Sequence, residues 1–274
     1  MPDPDYLARL ARHLCRTDLA DLPGPVADRA RWLLADTVGC IAGGSTAPEL
    51  QHLREALAHD LNGGPVRVIG TDVRAGATMA ALLNGTAATV LEMAEGHNRG
   101  GGQNAAQLVP AALAAAESVG ASGADLLRAV ALGYEVGVRF GRATTFRPAI
   151  HPNGTVGAVA AAVAAACIAG ADEERMALTI RLVSPLIVAN SWQIAREGGE
   201  ARNIATGHAS AAGVLADRMA AAGLTAESDA PGTVFGAAIG DAFDGAGVVA
   251  DWGDPWFVPG GYFKRYACGR YIHA

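Results

Sequence analysis

Apolar residues recur at helical spacing through most of the chain. In "GPVADRARWLLADTVGCIAGG", Val26, Ala30, Leu33, Leu34, Val38 and Ile41 share one face, and Gly43-Gly44 stops the repeat. "PELQHLREALAHD" predicts a second helix with His52 and His59 toward its polar side. The short run "VRVIG" after Gly63-Gly64-Pro65 is β-capable. "ATMAALLNGTAATVLEM" returns to the helical period, with Gly85 marking a close helix contact, and the polar, glycine-rich "AEGHNRGGGQN" separates it from the next apolar run. "LVPAALAAAESVG" and "SGADLLRAVALGYEVGVRFGRA" follow, the second opened by Ser122 as N-cap with Asp125 behind it. "HPNG" breaks the chain before the alanine-rich "TVGAVAAAVAAACIAG". Two further helices are predicted around "MALTIRLVSPLIVANSW" and "NIATGHASAAGVLADRMAAAG", then a looser region after Gly223. With no repeat, no linker and no series of strands, the pattern predicts an all-α architecture: a large Ala-rich helical bundle in a single domain over 1–274.

Composition sharpens this picture. The chain is 51% hydrophobic but only 5% aromatic, so alanine and glycine carry much of the apolar content and close helix packing is expected. Charged residues at 18% are too few for a disordered chain, and such an apolar surface is expected to be partly covered by another subunit. A net charge of −6 offers no basic footprint for nucleic acid, so an anionic substrate would need a local cationic pocket. Cys15, Cys40, Cys167 and Cys268 lack CxxC or zinc spacing and read as reduced, mostly buried thiols of a cytoplasmic protein. "MPDPDYLARL" lacks the basic-then-apolar order of a signal peptide, and the apolar run over 155–170 is too short and alanine-rich to span a bilayer. Neither nucleic acid nor a membrane is an expected partner.

Four stretches put titratable groups beside glycine or proline at helix ends. "LEMAEGHNRGGGQN" carries Glu92, Glu95, His97, Arg99 and Gln103; carboxylates near an imidazole suit acid–base chemistry, and a solvated loop is the plain alternative. Its glycines are consecutive and no GK[ST] follows, so it is no phosphate loop. His151 in "FRPAIHPNGTVG" precedes a helix N-terminus, where backbone N–H groups attract carboxylates, although a local hydrogen-bonding role would also explain it. Arg202 and His208 straddle a helix start in "GEARNIATGHASAAG"; Arg202 could clamp a carboxylate or merely lie exposed. The final stretch, "GYFKRYACGRYIHA", places Lys264 and His273 where chain ends usually fray. No local pattern reveals a nucleophile or a metal site.

The order of these segments carries a resemblance. "LEMAEGH", "LVPAALAAAE", "SGADLLRAVALGYEVGVR", "HPNGTVGAVAAAVAAACIAGAD", "RNIATGHASAAGVLADRMAAAGLT" and "YFKRYACGRYIHA" together resemble the MmgE/PrpD family. That resemblance, in register over nearly the whole chain, implies the family's large helical domain, commonly dimeric, working without metal or other cofactor on small carboxylates. It implies proton transfer at a carbon next to a carboxylate, with dehydration first and decarboxylation or epimerisation as related outcomes. The family's acid-acid-x-His loop falls on Glu92, Glu95 and His97, its next histidine on His151, and its lysine and closing histidine on Lys264 and His273. His97 or His151 would then be the acid/base, Lys264 and Arg202 the carboxylate holders, with Gln103 and Arg99 beside them.

Departures from the family pattern open a second reading. The usual Asp-Asp pair reads Ala94-Glu95, a following His-Pro reads Gln103-Asn104, and Arg202 stands at a position often held by lysine. Family members continue from the 255–274 stretch into a smaller lid domain, which this sequence does not contain. The leading expectation is a homodimeric lyase, its cleft closed by the neighbouring subunit or by a separately encoded lid-domain chain. The alternative is a non-catalytic helical subunit that binds or stabilises a partner chain.

Overall fold

A computed structural model describes residues 5–61 and 63–273; most of the acidic start and the last residue of the tail lie outside it. The helices in chain order are α1 (Tyr6–Arg16), α2 (Gly24–Gly44), α3 (Pro48–Ala56), α4 (Ala77–Val90), α5 (Asn104–Val119), α6 (Gly123–Ala143), α7 (Val156–Ile168), α8 (Glu173–Val183), α9 (Trp192–Arg196), α10 (Ala201–Ala221), α11 (Ala230–Thr233) and α12 (Gly245–Val249). Short antiparallel ladders join β1 (Val66–Arg67) to β2 (Arg74–Ala75), β3 (Gly96–His97) to β6 (Gly261–Tyr262), and β4 (Thr144–Phe146) to β5 (Gly240–Phe243). The expected all-α architecture is what the described residues form.

The alanine-rich α7 is the axis of the core. Apart from Cys167 its residues are buried, which fits a helix apolar on every side. Around it pack α5, α6 and α10, with α4 against α10 and α5, and α8 against α10 and α1. Small residues let these backbones touch. A methyl added at Gly133 of α6 would come within 2.7 Å of the Ala160 carbonyl oxygen of α7, and one at Gly213 of α10 within 2.6 Å of Ala161. Gly85 of α4 lies against Gly207 and Ser210 of α10, the close contact that its place in an apolar helix predicts. The Ser122–Asp125 capping box also forms, Ser122 Oγ accepting the Asp125 amide at 3.2 Å.

Three expectations change. Leu7, Leu10, Ala11 and Leu14 build α1, a helix not predicted from an acidic start. The helix predicted through "MALTIRLVSPLIVANSW" ends at Val183, because Pro185 cannot continue it; a 3₁₀ turn follows, then extended chain that bridges Ile150 to Ser191. Of the four cysteines, all free, Cys40 alone is buried, whereas Cys15, Cys167 and Cys268 are half-buried. Among the described residues no helix is long and apolar enough to cross a membrane.

Candidate active site

Residues at the starts of α5 and α10, with His151, Pro152 and Asn153 of the loop that leads into α7, line a cleft of about 1050 Å³. The partial positive charge of a helix N-terminus favours an anion nearby, although the first-turn amide of Ala105 in α5 is already taken by Glu95. The cleft lining adds Arg147, Arg196, Arg202, Lys264 and Arg270 against Glu49, Glu92 and Glu200. A chain of net charge −6 thus gathers a local excess of cations here.

Lys264 is the sole lysine of the sequence, beside twenty arginines. Its side chain is 5% exposed, and Nζ donates to the Glu92 carbonyl oxygen at 2.8 Å and sits 3.5 Å from a Glu92 carboxylate oxygen. The other Glu92 oxygen pairs with the Arg202 guanidinium. Glu92 follows α4 in the left-handed region at φ 54°, a conformation costing a non-glycine residue roughly 1 kcal/mol that its contacts offset. Burial, then the Arg202 charge, pull the Lys264 pKa below that of an ordinary lysine. The tail that carries Lys264 is ordered by the β3–β6 ladder, Gly96 opposite Tyr262 and His97 opposite Gly261, and by Arg29, which donates to the Gly261 carbonyl at 2.7 Å.

The two cleft histidines differ in what they leave free. His97 Nε2–H donates to the Phe257 carbonyl at 3.0 Å, and Nδ1 accepts the amides of Arg99 at 3.1 Å and Gly100 at 3.0 Å. Both ring nitrogens are therefore spent on main chain, the ring is neutral, and burial lowers its pKa. His151 is held by its own amide, which donates to the Asn190 carbonyl at 2.7 Å, and by Trp192, whose ring centroid is 4.3 Å away. Its Nδ1 accepts the Asn153 amide at 3.1 Å, which places the proton of the neutral ring on Nε2. Burial lowers its pKa to about 4, so at neutral pH Nε2–H is a donor available to a ligand.

Gln103 clasps the two loops together. Its amide donates to Asn153 Oδ1 at 3.1 Å, Asn153 Nδ2 donates to Gln103 Oε1 at 2.8 Å, and Gln103 Nε2 donates to the Ala94 carbonyl at 3.3 Å. The structure brings Glu92, His97, Gln103, His151, Arg202 and Lys264 to one cleft. Three expected residues stand outside it. Glu95 is fully buried, accepting the Ala105 amide at 2.6 Å and the Tyr134 hydroxyl at 2.8 Å; burial pushes its pKa up to about 8. Arg99 is exposed and does not line the cleft, and His273 packs its ring against Tyr266 at 5.5 Å. Their positions follow from β-pairing and turn geometry, which spacing along the chain does not encode.

Sequence reading missed Asn153, Trp192, Arg147, Arg196 and Arg270 as cleft residues. Only Lys264 had an overlooked signal, its singularity in the chain. Among the described residues no three His, Cys, Asp or Glu side chains gather where a metal ion could be held.

A sequence profile of the MmgE/PrpD N-terminal domain matches residues 8–238. The cis-aconitate decarboxylase-like protein oryM of Aspergillus oryzae is 34% identical over 149 residues, covering 52% of this chain and 31% of its own. Cis-aconitate decarboxylase of Aspergillus terreus is 26% identical over 271 residues, covering 92% of this chain and 55% of its own. The chain thus spans about half or less of the length of these curated relatives.

Proposed function

Because the chain belongs to the MmgE/PrpD family, we propose that its cleft binds a small polycarboxylate and carries out a lyase reaction by moving a proton at a carbon next to a carboxylate. The Glu92–Arg202–Lys264 cluster is the observation that carries this reading. An incoming carboxylate takes the place of Glu92 on Arg202 or Lys264, as one anion exchanges for another. Glu92 is then a free carboxylate beside the bound substrate, placed to accept a proton from carbon. The electron pair left behind spreads into the substrate carboxylate, where the cations and His151 Nε2–H stabilise the enolate-like charge. In a dehydration this pair forms the double bond as the C–O bond breaks, and the departing hydroxide leaves as water with a proton from Lys264. In a decarboxylation the C–C bond to a carboxylate breaks instead, CO₂ leaves, and Lys264 delivers the proton to carbon. His97, with both nitrogens engaged, shapes the loop in this scheme and moves no proton.

The relatives' name makes cis-aconitate the first substrate to assay, by CO₂ release and by loss of its ultraviolet absorbance. Binding is tested by calorimetry with cis-aconitate and with tricarballylate, a saturated analogue. Lys264→Met removes a charge-assisted contact of about 1.5–3 kcal/mol, so affinity should fall about tenfold or more. Unchanged binding of both tricarboxylates by the variant would sink the assignment. A homodimer is proposed alongside, supported by Trp32 at 65% and Val119 at 62% exposure, large apolar side chains that a partner surface would cover.

A further inference from the structure

Glu135 and Arg139 form an ion pair on α6 in which Arg139 Nε donates to a Glu135 oxygen at 2.7 Å, with the side chains 0% and 2% exposed. A pair so buried loses hydration on both charges and gives little net stability, so its consequence lies in what it holds. Arg139 has four further N–H groups. Nη1 donates to the carbonyls of Val248 at 3.2 Å and Ala250 at 2.7 Å, and Nη2 to those of Asp251 at 3.2 Å and Pro255 at 3.4 Å. Its guanidinium carbon also lies 5.0 Å from the ring centres of both Trp252 and Phe257. The second Glu135 oxygen accepts the amides of Phe257 at 2.8 Å and Val258 at 3.1 Å. One ion pair thereby gathers the backbone of 248–258, a stretch with little regular structure of its own.

That stretch leads straight into the cleft. The Phe257 carbonyl takes His97 Nε2–H, β6 begins at Gly261, and Lys264 then reaches Glu92. Glu135 and Arg139 do not line the cleft themselves. We propose that Glu135 and Arg139 are positioning residues for the cleft, setting where Lys264 and the His97 loop stand by gathering 248–258. The proposal rests on the reading that Lys264 meets a substrate carboxylate, and it adds the device that places it.

The single lysine supplies a probe that needs no ligand. Under native conditions trinitrobenzenesulfonate modifies Lys264 and the terminal amine, which peptide mapping separates. Arg139→Met strands a buried carboxylate, so it is paired with the double variant Glu135→Leu/Arg139→Met, which removes both charges together. The double variant should keep its helical circular dichroism and cooperative unfolding while Lys264 is modified about tenfold faster or more. Its affinity for tricarballylate should fall as far as that of Lys264→Met, and adding Lys264→Met should cost nothing further, since both changes act through one side chain. A wild-type modification rate in the folded double variant would overturn the proposal. So would failure of both variants to fold, which would make the pair purely structural. Faster modification combined with unchanged tricarballylate binding by Lys264→Met would uphold the positioning and refute the polycarboxylate reading instead.

Discussion

Glu95→Gln should change how stability depends on pH, and the direction follows from burial. In the folded protein the Glu95 carboxyl sits with no solvent contact, and desolvation lifts its pKa from 4.5 to about 8, with nearby Asp36 adding to the rise. The amide of Ala105 and the hydroxyl of Tyr134 pull it down without cancelling the burial. A raised acid pKa means that the fold prefers the protonated form. Its contribution is therefore fully present below pH 4.5 and is lost as pH rises toward 8. At about 1.36 kcal/mol per unit, the wild type should lose roughly 3 kcal/mol by pH 7 and on the order of 4 kcal/mol by pH 8 from this group. Glutamine has the shape of the protonated acid, keeps an acceptor for the Ala105 amide and does not titrate. Urea unfolding followed by circular dichroism between pH 4.5 and 8 should give nearly equal stabilities at the acid end, with the variant pulling ahead as pH rises. Parallel curves, separated by a constant offset across that range, would refute a neutral buried Glu95.

His151 should titrate near pH 4 by NMR, and Trp192→Leu, which opens the ring to water, should move that midpoint up toward the ordinary histidine value. Because the depressed pKa favours the neutral ring, its contribution to stability is present above pH 6.5 and lost as pH falls through about 4. Gly133→Ala forces a methyl against the Ala160 carbonyl and should cost about 1–3 kcal/mol in chemical denaturation without altering the cleft. Light scattering coupled to size exclusion should return twice the chain mass, and a monomer at micromolar concentration would remove the homodimer.

Much of the helical architecture is readable from local pattern. The Ser122–Asp125 capping box, the close contact at Gly85 and the all-apolar α7 depend on residues a few positions apart, and each formed as its local chemistry dictates. Pro185 could have been read the same way, but the apolar run on either side outweighed it in the prediction. The cleft was legible only as a set of residue types at helix ends. Which of them meet is decided by β3 pairing with β6 and by the extended chain after Pro185 that brings Trp192 to His151. Glu95 and His97 show the cost of that ignorance. Two positions apart in sequence, one caps α5 beneath the cleft and the other spends its ring on Phe257, Arg99 and Gly100.

The contact between His97 and Phe257 spans 160 residues, and this span bears on the order in which the molecule folds. Closing a loop of that length costs about 4.5 kcal/mol of chain entropy plus a constant, and no single hydrogen bond recovers it. The helical pairs around α7 close much shorter loops and are free to form first. The ends of the cleft can then meet only on a finished core, held by strands two residues long. The cleft thus depends on the packed core for its assembly and is free to come apart before that core does. Under mild denaturant, ligand binding should vanish while the helical signal is still intact.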